Sequence, residues 1–294
     1  MHIGLQIPSF KVPGGTAAIR PMLKEIVTSA DQAGFYSLWV MDHFYQIKGM
    51  FGEAYNDPML ESYTTLGYIA GLTKRAYLGV LVTGVIYRHP SVLMKTINTL
   101  DILAGGRTYF GIGAAWYEEE AKAFGIPYPA ISERFELLED NLKLAKALWA
   151  QDETSFTGKH LSAPLITNNP RPLSHPHPRI MVGGTGPKKT LRLVAQYADA
   201  CNIGDWVGQE AMQKALDDLK THCDTIGRDY GAIEKTSLCT VNLSGEDTAD
   251  SIIRQIEGLA RMGFTHAIFN MPDLYKVSPV ETFAEKIIPA TAGL

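Results

Sequence analysis

Asp42 and His43 stand directly after the apolar stretch Phe35-Tyr36-Ser37-Leu38-Trp39-Val40. A strand that ends in an acid and an imidazole presents them at the rim of a sheet. An imidazole gives or takes a proton near neutral pH, and a carboxylate beside it can fix its tautomer. The competing reading is structural: an Asp after a strand often caps the next helix. Adjacent strand residues also point to opposite faces, so both reach one pocket only if the strand has ended by Asp42.

Two glycine-rich stretches carry a second kind of chemistry. Gly183-Gly184-Thr185-Gly186-Pro187 lies between an apolar run and a helical pattern, with Pro187 at a natural first helical position. Backbone N–H groups at such a turn attract phosphate, and Lys188, Lys189 and Arg192 add positive charge. The plain alternative is a turn that needs glycine. Gly111-Ile112-Gly113-Ala114-Ala115-Trp116 resembles half a dinucleotide fingerprint but lacks its third glycine and the later acid. It reads better as a strand end where a ring system lies against the backbone and Trp116 and Tyr117 wall the pocket. Gly111 serves equally well as barrel filler. Glu118-Glu119-Glu120 reads as a solvated acidic first turn of a helix. His175-Pro176-His177-Pro178 reads as a stiff surface segment, and no spacing suggests a metal site.

The elements that would position these residues alternate along the chain. Strands are expected at His2–Ile7, Phe35–Met41, Tyr77–Val82, Thr108–Gly113, Ile180–Val182, Asp199–Ile203, Thr236–Leu243 and His266–Asn270. Helices are expected between them, the longest over Ile131–Trp149, where apolar residues recur at spacings of three and four. Short apolar strands separated by helices mean parallel strands covered on both faces, and eight such units favour a (β/α)8 TIM barrel. The chain is expected to form one domain over 1–294. An irregular, proline-rich insertion at about 150–179, with some strand of its own, is expected to cross the barrel mouth. In such a barrel functional residues gather where strands end. That rim holds Gln6, Ser9, Asp42, His43, Thr83, Gly113 to Trp116, Gly183 to Gly186, Asn202, Trp206 and Asn270. Amides, glycines and aromatics suit a large planar ligand.

Bulk properties narrow the partners. With 46% hydrophobic residues and a net charge of −4, the chain lacks the basic excess of a nucleic-acid or membrane-surface binder. Three cysteines without CxxC spacing suggest a reducing compartment. The N-terminus reads as a strand, not a signal peptide, and no apolar run is long enough to span a bilayer. A cytoplasmic location is expected.

With these motifs assembled, the chain resembles the luciferase-like monooxygenase superfamily, especially the branch that uses the deazaflavin coenzyme F420. The likeness runs through Leu38 to Phe44, Leu81-Val82-Thr83-Gly84 with Arg88-His89-Pro90, Thr99 to Arg107, Gly111 to Glu120, Gly183 to Gly186 and Tyr197 to Asn202. The resemblance implies a bacterial-luciferase-like barrel holding a flavin or deazaflavin ring at its strand ends. It implies that Gly183 and Gly184, with Thr185 and Gly186, bind the coenzyme phosphate. Val80, Leu81, Val82 and Thr83 would support the ring at a non-proline cis peptide, with Gly113, Ala114 and Trp116 beside it. His43, oriented by Asp42, would exchange a proton with the substrate, and Ser9 and Trp206 would line the substrate pocket. Members that oxidise sugar phosphates carry a tryptophan four residues after the histidine and a glutamate after the Gly-x-Gly. This chain has Ile47 and Ala114 there, so their substrate does not carry over. The expected function is hydride transfer between F420 and a small organic substrate. The alternatives are an FMN-dependent monooxygenase served by a flavin reductase and a non-catalytic flavin-binding protein. A homodimer is a family expectation.

Overall fold

The computed structural model describes residues 1–49, 55–272 and 274–294. Its centre is a closed ring of parallel strands: β1 (His2–Ile7), β2 (Ser37–Val40), β3 (Tyr77–Val80), β5 (Thr108–Gly113), β8 (Arg179–Gly183), β9 (Ala200–Gly204), β10 (Glu234–Thr240) and β11 (His266–Asn270). β3 pairs with β5 and β11 with β1, which closes the barrel and leaves no edge. A two-residue strand, β4 (Thr83–Gly84), continues β3 along β5. The single strand expected over Tyr77–Val82 is thus broken at Leu81-Val82, where the peptide bond is cis.

The helices are α1 (Thr16–Ala33), α2 (Ser62–Ala70), α3 (Pro90–Leu103), α4 (Glu118–Ala123), α5 (Ile131–Ala150), α6 (Thr190–Tyr197), α7 (Gln209–Ile226), α8 (Ala249–Met262), α9 (Ser278–Thr282) and α10 (Ile288–Thr291). One side of each strand faces these helices across the main core, which includes Ile3, Leu5, Leu38, Val80, Phe110, Ile112 and Val182. The other side fills the barrel with Trp39, Leu81, Tyr109, Met181, Ala200, Leu238 and Ile268. Gly79 makes the room for Trp39, since a Cβ there would lie 2.4 Å from the indole ring.

The N-terminal end of the barrel is sealed by polar groups that satisfy one another. His266 is fully buried, with Nε2 2.8 Å from Ser37 Oγ and Nδ1 3.0 Å from Glu234 Oε1. Trp39 donates to Ser37 Oγ at 2.6 Å, and Tyr109 donates to Glu234 Oε2 at 2.7 Å. Arg179 donates to the hydroxyls of Tyr36 and Tyr109, each at 2.8 Å.

The insertion has the strand expected of it but lies elsewhere. It forms an antiparallel hairpin of β6 (Glu153–Thr157) and β7 (Ser162–Thr167), followed by a proline-rich return. It joins the end of α5 to the start of β8, and that junction lies at the N-terminal face of the barrel, opposite the mouth. Lys159 and His160 donate backbone N–H groups to Asp140 on α5. Leu173 and Ser174 donate theirs to Asp101 on α3. His177 stacks on Trp149 at 5.4 Å. The mouth is built by the loops after the strands.

Candidate active site

β2 ends at Val40, so the chain has left the sheet before Asp42 and His43. Their side chains part company there. Asp42 is 2% exposed and receives Arg88 Nη1 at 2.7 Å and Nη2 at 3.0 Å, Ser62 Oγ at 2.7 Å and the Gly84 N–H at 3.3 Å. It is a buried anion that ties the β2 loop to α2 and to the segment after β4. Arg88 also meets Glu61. Burial alone would weaken the guanidinium as a base, yet the two carboxylates raise it well above the usual range. Asp42 therefore does not orient His43.

The acid that does is Glu120. Its Oε2 lies 2.9 Å from His43 Nδ1 and receives the Tyr87 hydroxyl at 2.8 Å, while Oε1 receives the Phe44 and Tyr45 N–H groups at 2.6 and 3.2 Å. Both oxygens are thus engaged, and the side chain is 0% exposed. Burial pushes the Glu120 carboxyl up, but the bonds from His43, Tyr87 and Phe44 outweigh it and hold the group below its ordinary value. Glu120 was expected to be solvated; α4 instead turns it inward while Glu118 and Glu119 stay outside. Among the described residues His43 Nε2 has no hydrogen-bond partner. With Nδ1 held by a carboxylate, Nε2 is the ring nitrogen left open.

Around this dyad the walls are aromatic. Trp116 meets His43 edge to face at 5.7 Å and stacks on Tyr117 at 5.0 Å and 15°. Their turn is fixed by Arg134, which donates to the carbonyls of Ala114 (3.1 Å) and Ala115 (2.6 Å). Ala115 holds φ 60, a left-handed conformation that costs a non-glycine residue about 1–2 kcal/mol.

The floor lies at the strand ends. Val82 projects between β5 and β8: a Cβ added to Gly113 or Gly183 would come within 3.0 or 3.2 Å of its side chain. Leu81 joins the barrel interior, and its carbonyl receives Gln6 Nε2 at 3.2 Å. Val80 and Thr83 point elsewhere. Val80 belongs to the strand–helix core, and the Thr83 hydroxyl is buried 2.5 Å from Tyr63. Gln6 and Asn270 are register partners on β1 and β11, and each keeps one buried side-chain oxygen, Oε1 and Oδ1, without a partner among the described residues. Asn202 on β9 donates to Thr236 of β10 at 2.8 Å.

The glycine loop leaves β8 with Gly184 exposed at φ 115. Its helix begins at Thr190, not at Pro187, after a turn over 187–189. Arg192 faces Glu139 at 3.1 Å and Gln196 at 2.6 Å, so its charge is compensated on the helix surface. Ser9 accepts from the Lys11 N–H within its own loop. Trp206 lies over Gly204 at the end of β9, its indole 69% exposed.

The chain is 27% identical over 311 residues to the F420-dependent glucose-6-phosphate dehydrogenase of Beutenbergia cavernae, covering 88% of this chain and 90% of that one. The solved monooxygenase RslO1 from Streptomyces bottropensis superposes with a TM-score of 0.80 at 19% identity, over 98% of this chain and 99% of that one. An F420-dependent secondary alcohol dehydrogenase, solved with an F420-acetone adduct, gives 0.79 at 18% identity over 99% and 98%. Residues 1–280 match the family model for luciferase-like monooxygenases. The chain belongs to that family and is an oxidoreductase of the luciferase-like kind.

Proposed function

We propose that the protein is an F420-dependent oxidoreductase in which hydride passes between the deazaflavin and a small organic substrate. The observation that carries this reading is the one-sided imidazole: His43 is held at Nδ1 by a buried carboxylate and has Nε2 unpartnered at the barrel mouth. Beside it lies a floor suited to a flat heterocycle. The unpartnered oxygens of Gln6 and Asn270 match the N–H of a pyrimidine edge, and Leu81, Val82, Gly113 and Gly183 form an apolar, shallow bed. The exposed Gly184, followed by half-buried Thr185 and Gly186, lets a phosphate approach backbone. The relative from Beutenbergia cavernae, whose name specifies F420, supports the choice of coenzyme.

When bound, F420 supplies the site for two-electron hydride exchange. The chain's own residues supply the rest. His43 Nε2 gives a proton to a substrate oxygen or takes one from it, as hydride arrives or leaves. Glu120 fixes the ring and balances its charge when both nitrogens carry protons. Asp42 and Arg88 hold the loop that carries His43. Trp116 and Tyr117 keep water from one side of the imidazole.

Titration with F420 and, separately, with FMN, followed by cofactor fluorescence, tests the reading. Saturable F420 binding with negligible FMN affinity is the expected result. Tight FMN binding without F420 binding overturns it in favour of a flavin monooxygenase.

A further inference from the structure

We propose that the mouth takes a flat, uncharged aromatic substrate laid against Trp116, and not a sugar phosphate. The inference rests on the oxidoreductase reading above and names the substrate class of the same site. Trp116 is 58% exposed although one face of its indole is stacked on Tyr117 and its edge meets His43. An indole held in place yet open to solvent, in contact with the proton-exchanging ring, is a stacking platform at the point of chemistry. The wall continues from Tyr117 to Tyr45, whose rings meet edge to face at 5.7 Å.

Charge selects against an anion at this wall. Aromatic faces carry the negative side of the ring quadrupole. Glu118, Glu119 and Glu120 follow Tyr117 directly in the chain, and the cations close by are compensated. Lys122 pairs with Glu118 at 2.7 Å, Arg134 holds the carbonyls of Ala114 and Ala115, and Arg88 holds Asp42 and Glu61. With Glu118 paired to Lys122 and Glu120 buried against His43, Glu119 is the acid left exposed beside the wall, facing solvent with Lys48 on the neighbouring loop. Burial, Tyr117 and Glu119 push the Tyr45 phenol up to about 12, in keeping with this acidic surrounding. A phosphate dianion placed here would meet the Glu119 carboxylate and π faces. A neutral ring would meet stacking surface and one imidazole.

The test compares three probes on the full-length protein by calorimetry: 2-naphthol, 2-naphthoate and glucose 6-phosphate. Saturable binding of 2-naphthol is expected, with 2-naphthoate at least about tenfold weaker and no saturation by glucose 6-phosphate. Trp116→Ala should weaken 2-naphthol by about 3- to 10-fold, and Trp116→Phe should restore most of the loss. Glu119→Lys should strengthen 2-naphthoate several-fold and leave 2-naphthol nearly unchanged. Glucose 6-phosphate binding, or equal affinity for the two naphthalenes, would overturn the proposal. So would a Trp116→Ala protein that changes its sedimentation but not its 2-naphthol affinity, which would make the indole a contact between copies. An F420 titration of the same samples separates the two readings. Lost naphthol binding with F420 binding intact removes only the substrate class, and the reverse removes only the coenzyme.

Discussion

The barrel carries an imidazole–carboxylate pair at each end, and the two differ in one respect. At the N-terminal end His266 has both nitrogens engaged, by Ser37 and Glu234, and no exposed surface. At the mouth His43 has only Nδ1 engaged, by Glu120, and its side chain is 11% exposed. Glu120 is fully buried and Glu234 half-buried, and in both burial pushes the group up while the partner histidine and a tyrosine hydroxyl bring it below its ordinary value. The same chemical pair is therefore a plug where its hydrogen-bonding capacity is full and, in the proposed function, a reactive group where one nitrogen is left over. Residue type does not separate the two roles; the count of satisfied atoms does.

Substitution at the two ends should separate them. His43→Ala should cut turnover by about two to four orders of magnitude with coenzyme binding retained, since a positioned acid–base group contributes that much. Steady-state assays with a turned-over substrate check this, and near-normal turnover would remove His43 from the chemistry. Glu234→Ala should leave turnover per folded molecule unchanged but lower unfolding free energy in urea by about 1–3 kcal/mol, because it strips the hydrogen-bond partner from fully buried His266. Glu120→Gln keeps a hydrogen-bond acceptor and loses the charge, so turnover should fall by about 10- to 100-fold, less than on loss of the imidazole.

Acid should weaken both ends. Because Glu120 and Glu234 titrate below the 4.5 of a free glutamate, the unfolded chain binds more protons than the folded one as pH falls through that value. Their contribution to stability is complete above about pH 4.5 and lost as pH falls through the folded values. Urea midpoints between pH 3 and 6 should fall with acid, and Glu234→Gln should flatten the slope. The smallest expected effect is at Ala115→Gly. It relieves the left-handed φ but frees the unfolded chain, and these offset to within about 1 kcal/mol.

Much of this architecture was legible in the residues. Most barrel strands are short apolar runs separated by helical periods, so the alternation that closes the barrel could be counted along the chain, although β10 (Glu234–Thr240) is largely polar. The pairing of acids was not legible. Asp42 sits next to His43 in sequence but bonds to Arg88, 46 positions away. Glu120 bonds to His43 from 77 positions away, inside an acidic triplet that a helix dipole already accounts for. α4 is six residues long, too short for a period to mark which of its three acids turns inward. The insertion was assigned to the wrong face because its prolines suggest an excursion without saying where it lies. The order of elements does say: a helix-to-strand link returns to the N-terminal face. The break in β3 had no signal in composition and was anticipated only through the family resemblance.

The contrast between the two imidazoles is tested most directly by nitrogen NMR of the histidine side chains, with and without F420, using His43→Gln to assign the signal. His43 ring resonances should move on adding F420 while those of His266 stay in place. An unchanged His43 beside a bound coenzyme, or a His266 that responds to it, would contradict the assignment of chemistry to the mouth.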